Sequence, residues 1–331
     1  MLKLKNFQKI LIIRPDRIGD LTLSLATPVA IKTYCPQTKI YYLVSGYAAP
    51  LLHYSNHVDG SLLYTEQDGQ PKSVAGLIEI MAEAEFDLAI FLKSNWRTAF
   101  ASFLAGIPVR IGTARRAYSF LFNEMVNISR KKSDLHEIDL NLCLLKPLGI
   151  EIDPGIFNPV LDIRGRIWPD RQKYNLPENY LIIHLGSRGS APNWPLDNYL
   201  ELASWLAQKN PVVITGQIKT NVQLPIEAIN LLNRTGLDDL VHIISKAKLL
   251  ISGGTGPLHL ADALGVPVLG FFPNSHHLGP KRWGPRGPKT MALTPPEQTG
   301  HRCRKRDDGS CVCMDAIKVE SIEQIAMELL Q

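Results

Sequence analysis

The apolar run Leu249-Leu250-Ile251 passes straight into Ser252-Gly253-Gly254-Thr255-Gly256 and then into Pro257-Leu258-His259-Leu260. A short continuous apolar run fits a buried strand, and Pro suits the first helical turn, where its missing N–H would have had no partner. The segment therefore predicts strand, glycine turn and helix, the helix starting near Pro257. The same order recurs twice. Residues 9–13 (KILII) lead through Arg14 to Gly19 into a helix with Leu21, Leu25, Val29 and Ile31 on its apolar positions. Residues 180–185 (YLIIHL) lead through Gly186-Ser187-Arg188-Gly189-Ser190 into a helix over 195–207. Further strands are expected at 39–44, 87–92, 109–112, 212–215, 248–251 and 266–272, with helices between them. Buried strands alternating with helices mean α/β layers built on parallel sheets. At 331 residues the chain is long enough for two such layers. We expect two Rossmann-like domains facing a cleft, residues 1–165 and 166–320, followed by a terminal helix at 321–331.

Each repeated turn is a candidate ligand site, because ligands of such sheets bind beyond the carboxyl ends of the strands. Glycines let backbone N–H groups approach a ligand, and a helix N-terminus favours negative charge. Gly254, Thr255, Gly256 and His259 thus read either as a phosphate site or as an ordinary strand–turn–helix corner. Asp20 follows Arg17-Ile18-Gly19, where Gly19 would permit a sharp turn. Its carboxylate either caps the helix or faces the cleft, and Asp16 competes for the same roles.

The net charge of +5 is too modest to argue for nucleic acid. Positive charge is clustered at Arg115-Arg116, Arg130-Lys131-Lys132, Lys281-Arg282 and 302–306, which suits solvated surface, or contact with anionic headgroups or a phosphorylated acceptor. No run approaches the ~20 apolar residues that span a bilayer, and the N-terminal apolar run lacks a cleavage site, so a cytoplasmic protein is expected. Five cysteines do not make a secreted disulfide framework in a chain of this size. Cys35 and Cys143 read as buried helix residues. His301, Cys303, Cys311 and Cys313 are the residues that could ligate zinc, but their spacing is not that of a zinc knuckle, and a thiol cluster or reversible disulfide fits better.

Thr255, Gly256, His259, Ala263 and Pro267 resemble the Asp-Thr-Gly-x-x-His signature of the family 9 glycosyltransferases, the lipopolysaccharide heptosyltransferases among them. The resemblance extends along nearly the whole chain: through Gly19-Asp20 after the first strand, the loop with Asn95 and Arg97, residues 136–148, the stretch from His184 to Pro195, and 313–317. It implies the GT-B fold, with a terminal helix crossing back to the first domain and 136–148 as an interdomain helix. It further implies inverting transfer of a sugar, heptose being the leading candidate, from a nucleotide diphosphate such as ADP-heptose to a lipid-linked or lipopolysaccharide-core acceptor at the inner face of the cytoplasmic membrane. By the same resemblance Asp20 is the base. Gly186, Ser187, Arg188, Gly254, Thr255, Gly256 and His259 hold the donor, Asn95 and Arg97 meet the acceptor, and no metal or other cofactor is required. Two positions depart from the family. Gly254 stands where its members carry the Asp that helps hold the donor sugar, with Asp262 or Ser252 as substitutes. Pro192 stands where they carry a Lys that contacts the donor phosphates. A catalytically inactive relative that binds nucleotide or glycan, and a nucleotide-sugar 2-epimerase, are the alternative readings.

Overall fold

The computed structural model describes residues 2–168, 171–186, 189, 191–219, 222–296, 306 and 309–330. The chain forms two compact units, Met1–Asp162 and Ile163–Gln331.

The first unit holds β1 (Lys9–Ile13), α1 (Ile18–Ser24), α2 (Ala26–Tyr34), β2 (Lys39–Val44), β3 (Gly60–Leu63), α3 (Val74–Glu83), β4 (Leu88–Phe91), α4 (Trp96–Leu104), β5 (Val109–Thr113), β6 (Glu124–Val126) and α5 (Glu137–Leu142). Its strands lie in the order β3-β2-β1-β4-β5-β6, and every pairing is parallel. β1 sits centrally, with Ile12 opposite Tyr42 on one side and Ile90 on the other. A strand buried on both faces must be apolar throughout, and Ile10 to Ile13 are all fully buried. Leu11, Ile13, Leu77, Met81, Phe86 and Phe91 share one core cluster.

The second unit holds α6 (Arg171–Tyr174), β7 (Leu181–Leu185), α7 (Leu196–Ala207), β8 (Val212–Gly216), β9 (Ile229–Asn230), α8 (Leu237–Ser245), β10 (Leu249–Gly253), α9 (Gly256–Ala263), β11 (Val268–Phe271), α10 (Pro280–Trp283), β12 (Thr290–Leu293) and α11 (Val319–Leu329). Its sheet runs β12-β11-β10-β7-β8-β9, again all parallel. Counted from its own first strand, this is the order of the first sheet. Each sheet therefore reverses direction between its first and fourth strands, β1 beside β4 and β7 beside β10. That switch point is where open α/β sheets bind ligands.

Two expectations change. The helix expected over 136–148 is α5 followed by a tighter 3-10 turn, Cys143–Leu148, because Pro147 has no N–H to continue an α-helix. α5 packs on α1 and α2 in the first unit. The terminal helix, expected as a separate segment, belongs to the second core: Ile322 and Ala326 are fully buried in one cluster with Trp194, Tyr199 and Leu202, and α11 packs on α7.

Candidate active site

At the end of β1 the backbone turns at Arg14, whose N–H donates to the Leu43 carbonyl at 3.0 Å. The Arg14 side chain is 2% exposed. Its Nη2 donates to Asp20 Oδ1 at 2.5 Å. Its Nε lies 2.9 Å from Asp16 Oδ1, an ion pair without hydrogen-bond alignment. Nη1 and Nη2 both reach Glu137 Oε1 of α5 at 3.4 Å, and Nη1 reaches Asn141 Oδ1 at 3.3 Å. Arg130 closes the network by donating to Glu137 Oε1 at 3.0 Å and Asn141 Oδ1 at 2.9 Å. Just beyond the neighbouring strand β4, Lys93 brings Nζ to 3.9 Å from Asp16 Oδ2.

Three cations thus face three carboxylates, and the buried pair among them, Arg14 and Glu137, is matched in charge as groups withdrawn from water must be. Burial alone would lower the Arg14 pKa; Asp16, Asp20 and Glu137 together raise it above the ordinary arginine value. Burial pushes the Asp16 carboxyl up to about 6, against the pull of Arg14. Asp20 keeps 24% of its side chain exposed, so the network fixes one of its faces and leaves another open. It does not cap α1: Arg17 holds the N-cap position, without a side-chain cap bond, and Asp20 lies in the first turn. Gly19 sits inside that turn and is not among the described glycines with positive φ, so the sharp bend expected of it is absent.

The loop after β4 ends at Asn95, and Arg97 lies in the first turn of α4. Asn95 Oδ1 accepts from Thr98 N at 2.9 Å and is the N-cap of α4. Arg97 Nη2 donates to the Lys72 carbonyl at 2.5 Å. Both side chains hold local structure, at the same edge of the sheet as Asp16.

In the second unit β7 is followed by Gly186, whose φ of +83° is a left-handed conformation that only glycine adopts without strain. Ser187 and Arg188 lie outside the described residues. At the end of β10, Gly254 N donates to the Phe271 carbonyl at 3.1 Å. Thr255 is the N-cap of α9 and makes no side-chain cap bond. Thr255 and His259 are buried, while Gly254, Gly256 and Pro257 are partly exposed. What this turn offers to solvent is therefore mainly backbone at a helix N-terminus, the arrangement that binds phosphate. Trp194, Tyr199 and Phe271 brace it from below, with ring centroids 4.4 to 5.6 Å apart. The Trp194 Nε1 donates to the Ile317 carbonyl at 3.0 Å, which ties the 313–317 segment to this support.

The departure at Gly254 has a structural counterpart. A Cβ at this position would stand 2.6 Å from Phe272 Cε1. Phe272 is fully buried, so its ring fills the space a side chain at 254 would need. Both proposed substitutes are engaged locally. Asp262 accepts from the N–H groups of Arg286 at 2.9 Å and Gly287 at 2.7 Å, which uses both oxygens. Ser252 is fully buried and donates to the Gly253 carbonyl at 2.9 Å.

Of the zinc candidates, His301 and Cys303 lie outside the described residues. Cys311 and Cys313 are buried in the second core with sulfurs 3.2 Å apart. Among the described residues no three such side chains gather as a metal site. Cys35 is buried as expected, whereas Cys143 is only half-buried.

Sequence reasoning missed Arg14, Glu137, Asn141 and Arg130. One signal was available: an arginine directly after a fully apolar strand, two residues before an aspartate, has no apolar reason to be there.

The chain as a whole is similar to known proteins. The chain is 28% identical over 313 residues to a putative glycosyltransferase of Haemophilus influenzae, covering 87% of this chain and 90% of that one. It is 24% identical over 333 residues to lipopolysaccharide heptosyltransferase 2 of Escherichia coli, covering 89% and 87%. Among solved structures, a family 9 glycosyl transferase from Veillonella parvula superposes with a TM-score of 0.81 at 18% identity, covering 100% of this chain and 98% of that one. The E. coli ADP-heptose lipopolysaccharide heptosyltransferase II gives 0.76 at 21%, covering 97% and 98%. These structures share the fold, two Rossmann-like units of the GT-B type. The family model described as glycosyltransferase family 9 (heptosyltransferase) matches residues 74–312, and the chain belongs to that family.

Proposed function

We propose that this glycosyltransferase moves a sugar, with inversion, from a nucleotide diphosphate donor to a lipopolysaccharide-core or similar glycan acceptor. ADP-heptose is the leading donor. Structures similar to this chain include an E. coli heptosyltransferase with ADP, at a TM-score of 0.68. The observation that carries the reading is Asp20: a carboxylate fixed by a buried arginine, partly open, at the switch point of the first sheet.

In this reading the acceptor hydroxyl attacks the anomeric carbon of the donor sugar as the bond to the diphosphate breaks. Asp20 takes the hydroxyl proton, and the nucleoside diphosphate leaves with the bonding pair. A positioned carboxylate typically contributes ~10²–10⁴-fold to such a step. Charge developing on the diphosphate needs donors already in place. The backbone N–H groups at Thr255 and Gly256 and the α9 N-terminus supply them, with Gly254, His259, Gly186, Ser187 and Arg188 on the donor side. Asn95 and Arg97 stand on the acceptor side as residues that shape the loop beside Asp16. The chemistry uses no metal. Phe272 in place of a carboxylate at 254 removes one hold on the donor sugar, so sugar selection falls to other contacts. The enzyme would work at the inner face of the cytoplasmic membrane.

The test is a panel of nucleotide sugars offered with a lipopolysaccharide-core acceptor, with nucleoside diphosphate release as the readout. Release from an ADP-sugar is expected. Nucleotide binding without turnover of any donor would contradict the reading and favour an inactive relative.

A further inference from the structure

Helix α4 is inside out. Its buried residues are small or hydroxylic: Thr98, Ala99, Ala101 and Ser102. Its large apolar residues face outward, Trp96 at 56% exposure, Phe100 at 39%, Phe103 at 48% and Leu104 at 50%. Their spacing of four, three and one places them on one face. The 3-10 turn Ser119–Leu121 packs beside α4 and adds Phe120, 79% exposed. A soluble surface has no use for an aromatic stripe of this kind, and such patches mark contact surfaces.

The charge around the stripe says what it contacts. From residue 88 to 123 the sequence holds no Asp or Glu, but it holds Lys93, Arg97, Arg110, Arg115 and Arg116. Lys93 precedes α4 and is exposed; Arg115 and Arg116 are exposed just before the Phe120 turn. The Arg110 guanidinium lies 5.3 Å from the Phe103 ring centroid. Exposed Trp and Phe flanked by cations fit the headgroup layer of an anionic bilayer. A second copy fits badly, because a two-fold contact would set each cation cluster against its own image, with no acid in the stretch to meet it.

We infer that the face made by α4 and the Phe120 turn docks on an anionic membrane surface. The stripe starts three residues after Lys93, whose Nζ lies 3.9 Å from Asp16, so docking holds Asp16 and Asp20 close to the lipid. The inference concerns adsorption, not turnover, and stands or falls separately from the proposed reaction.

The test is co-sedimentation of the full chain with phosphatidylglycerol-containing vesicles and with pure phosphatidylcholine vesicles, alongside light scattering of the free protein. Sedimentation with the anionic vesicles alone is expected. Arg115→Ala with Arg116→Ala should weaken it about 25-fold, at about fivefold per charge near the surface. Phe120→Ser should weaken it with no change in melting temperature, and it serves if Phe103→Ser disturbs the fold. Three results would overturn the inference: no sedimentation with anionic vesicles, equal binding to both kinds, or a dimer in solution that the Phe120 substitution dissolves.

Discussion

Asp20 owes its position to Arg14, and Arg14 owes its burial to three carboxylates, on the turn after β1, on α1 and on α5. Removing one partner of such a buried cluster typically costs about 3–5 kcal/mol, because the remaining charges are left uncompensated. Asp16 is the strained member. Its folded carboxyl is raised, to about 6, from an ordinary value of 3.8, so its contribution to stability is full below the ordinary value and is lost as pH rises through 6. Asp16→Asn removes that dependence. The stability of the variant relative to wild type should therefore grow between about pH 4 and pH 7 in urea unfolding. A difference independent of pH would show that Asp16 is not held against its charge. Asp20 was legible in the sequence, since a Gly-Asp pair after an apolar strand resembles a known motif. The cluster that holds it was not. Arg14 and Glu137 are 123 residues apart, and each alone reads as a surface charge. Only the packing of α5 on the helices that follow β1 turns them into a buried pair.

At the scale of elements, the strands that were legible are those buried on both faces. β1 and β2 fall on the expected residues, and β4, β7, β8 and β10 fall within one or two of them. Those missed are edge strands. β3, β6 and β12 carry half-exposed, mixed residues, and their pattern does not separate them from loops. The glycine turn after β10 was legible in outline, but its central departure was not, because what fills the space at Gly254 comes from the residue after β11. That pairing is testable. Gly254→Asp alone should destabilise the chain by about 1–3 kcal/mol, the usual cost of overpacking. Combined with Phe272→Ala, the same change should be tolerated, so the two effects should not add in a double-mutant cycle. Additive losses would mean that the ring does not occupy the side chain's place.

At the scale of the molecule, one strand order is used twice, and each copy places its candidate site at its switch point. The two sites differ in chemistry. The first offers an ion-paired carboxylate with one open side, suited to taking a proton. The second offers backbone N–H groups at a helix start, suited to a phosphate. A sugar transfer from a nucleotide diphosphate needs both, and membership of glycosyltransferase family 9 agrees with that division. Asp20 is proposed as the base, with donor binding assigned to the second unit. The most direct measurement is turnover and nucleotide affinity of Asp20→Ala beside wild type, with ADP-heptose and a lipopolysaccharide-core acceptor. The kcat should fall at least ~10²-fold with ADP affinity nearly unchanged. Full turnover in the variant would contradict Asp20 as the base.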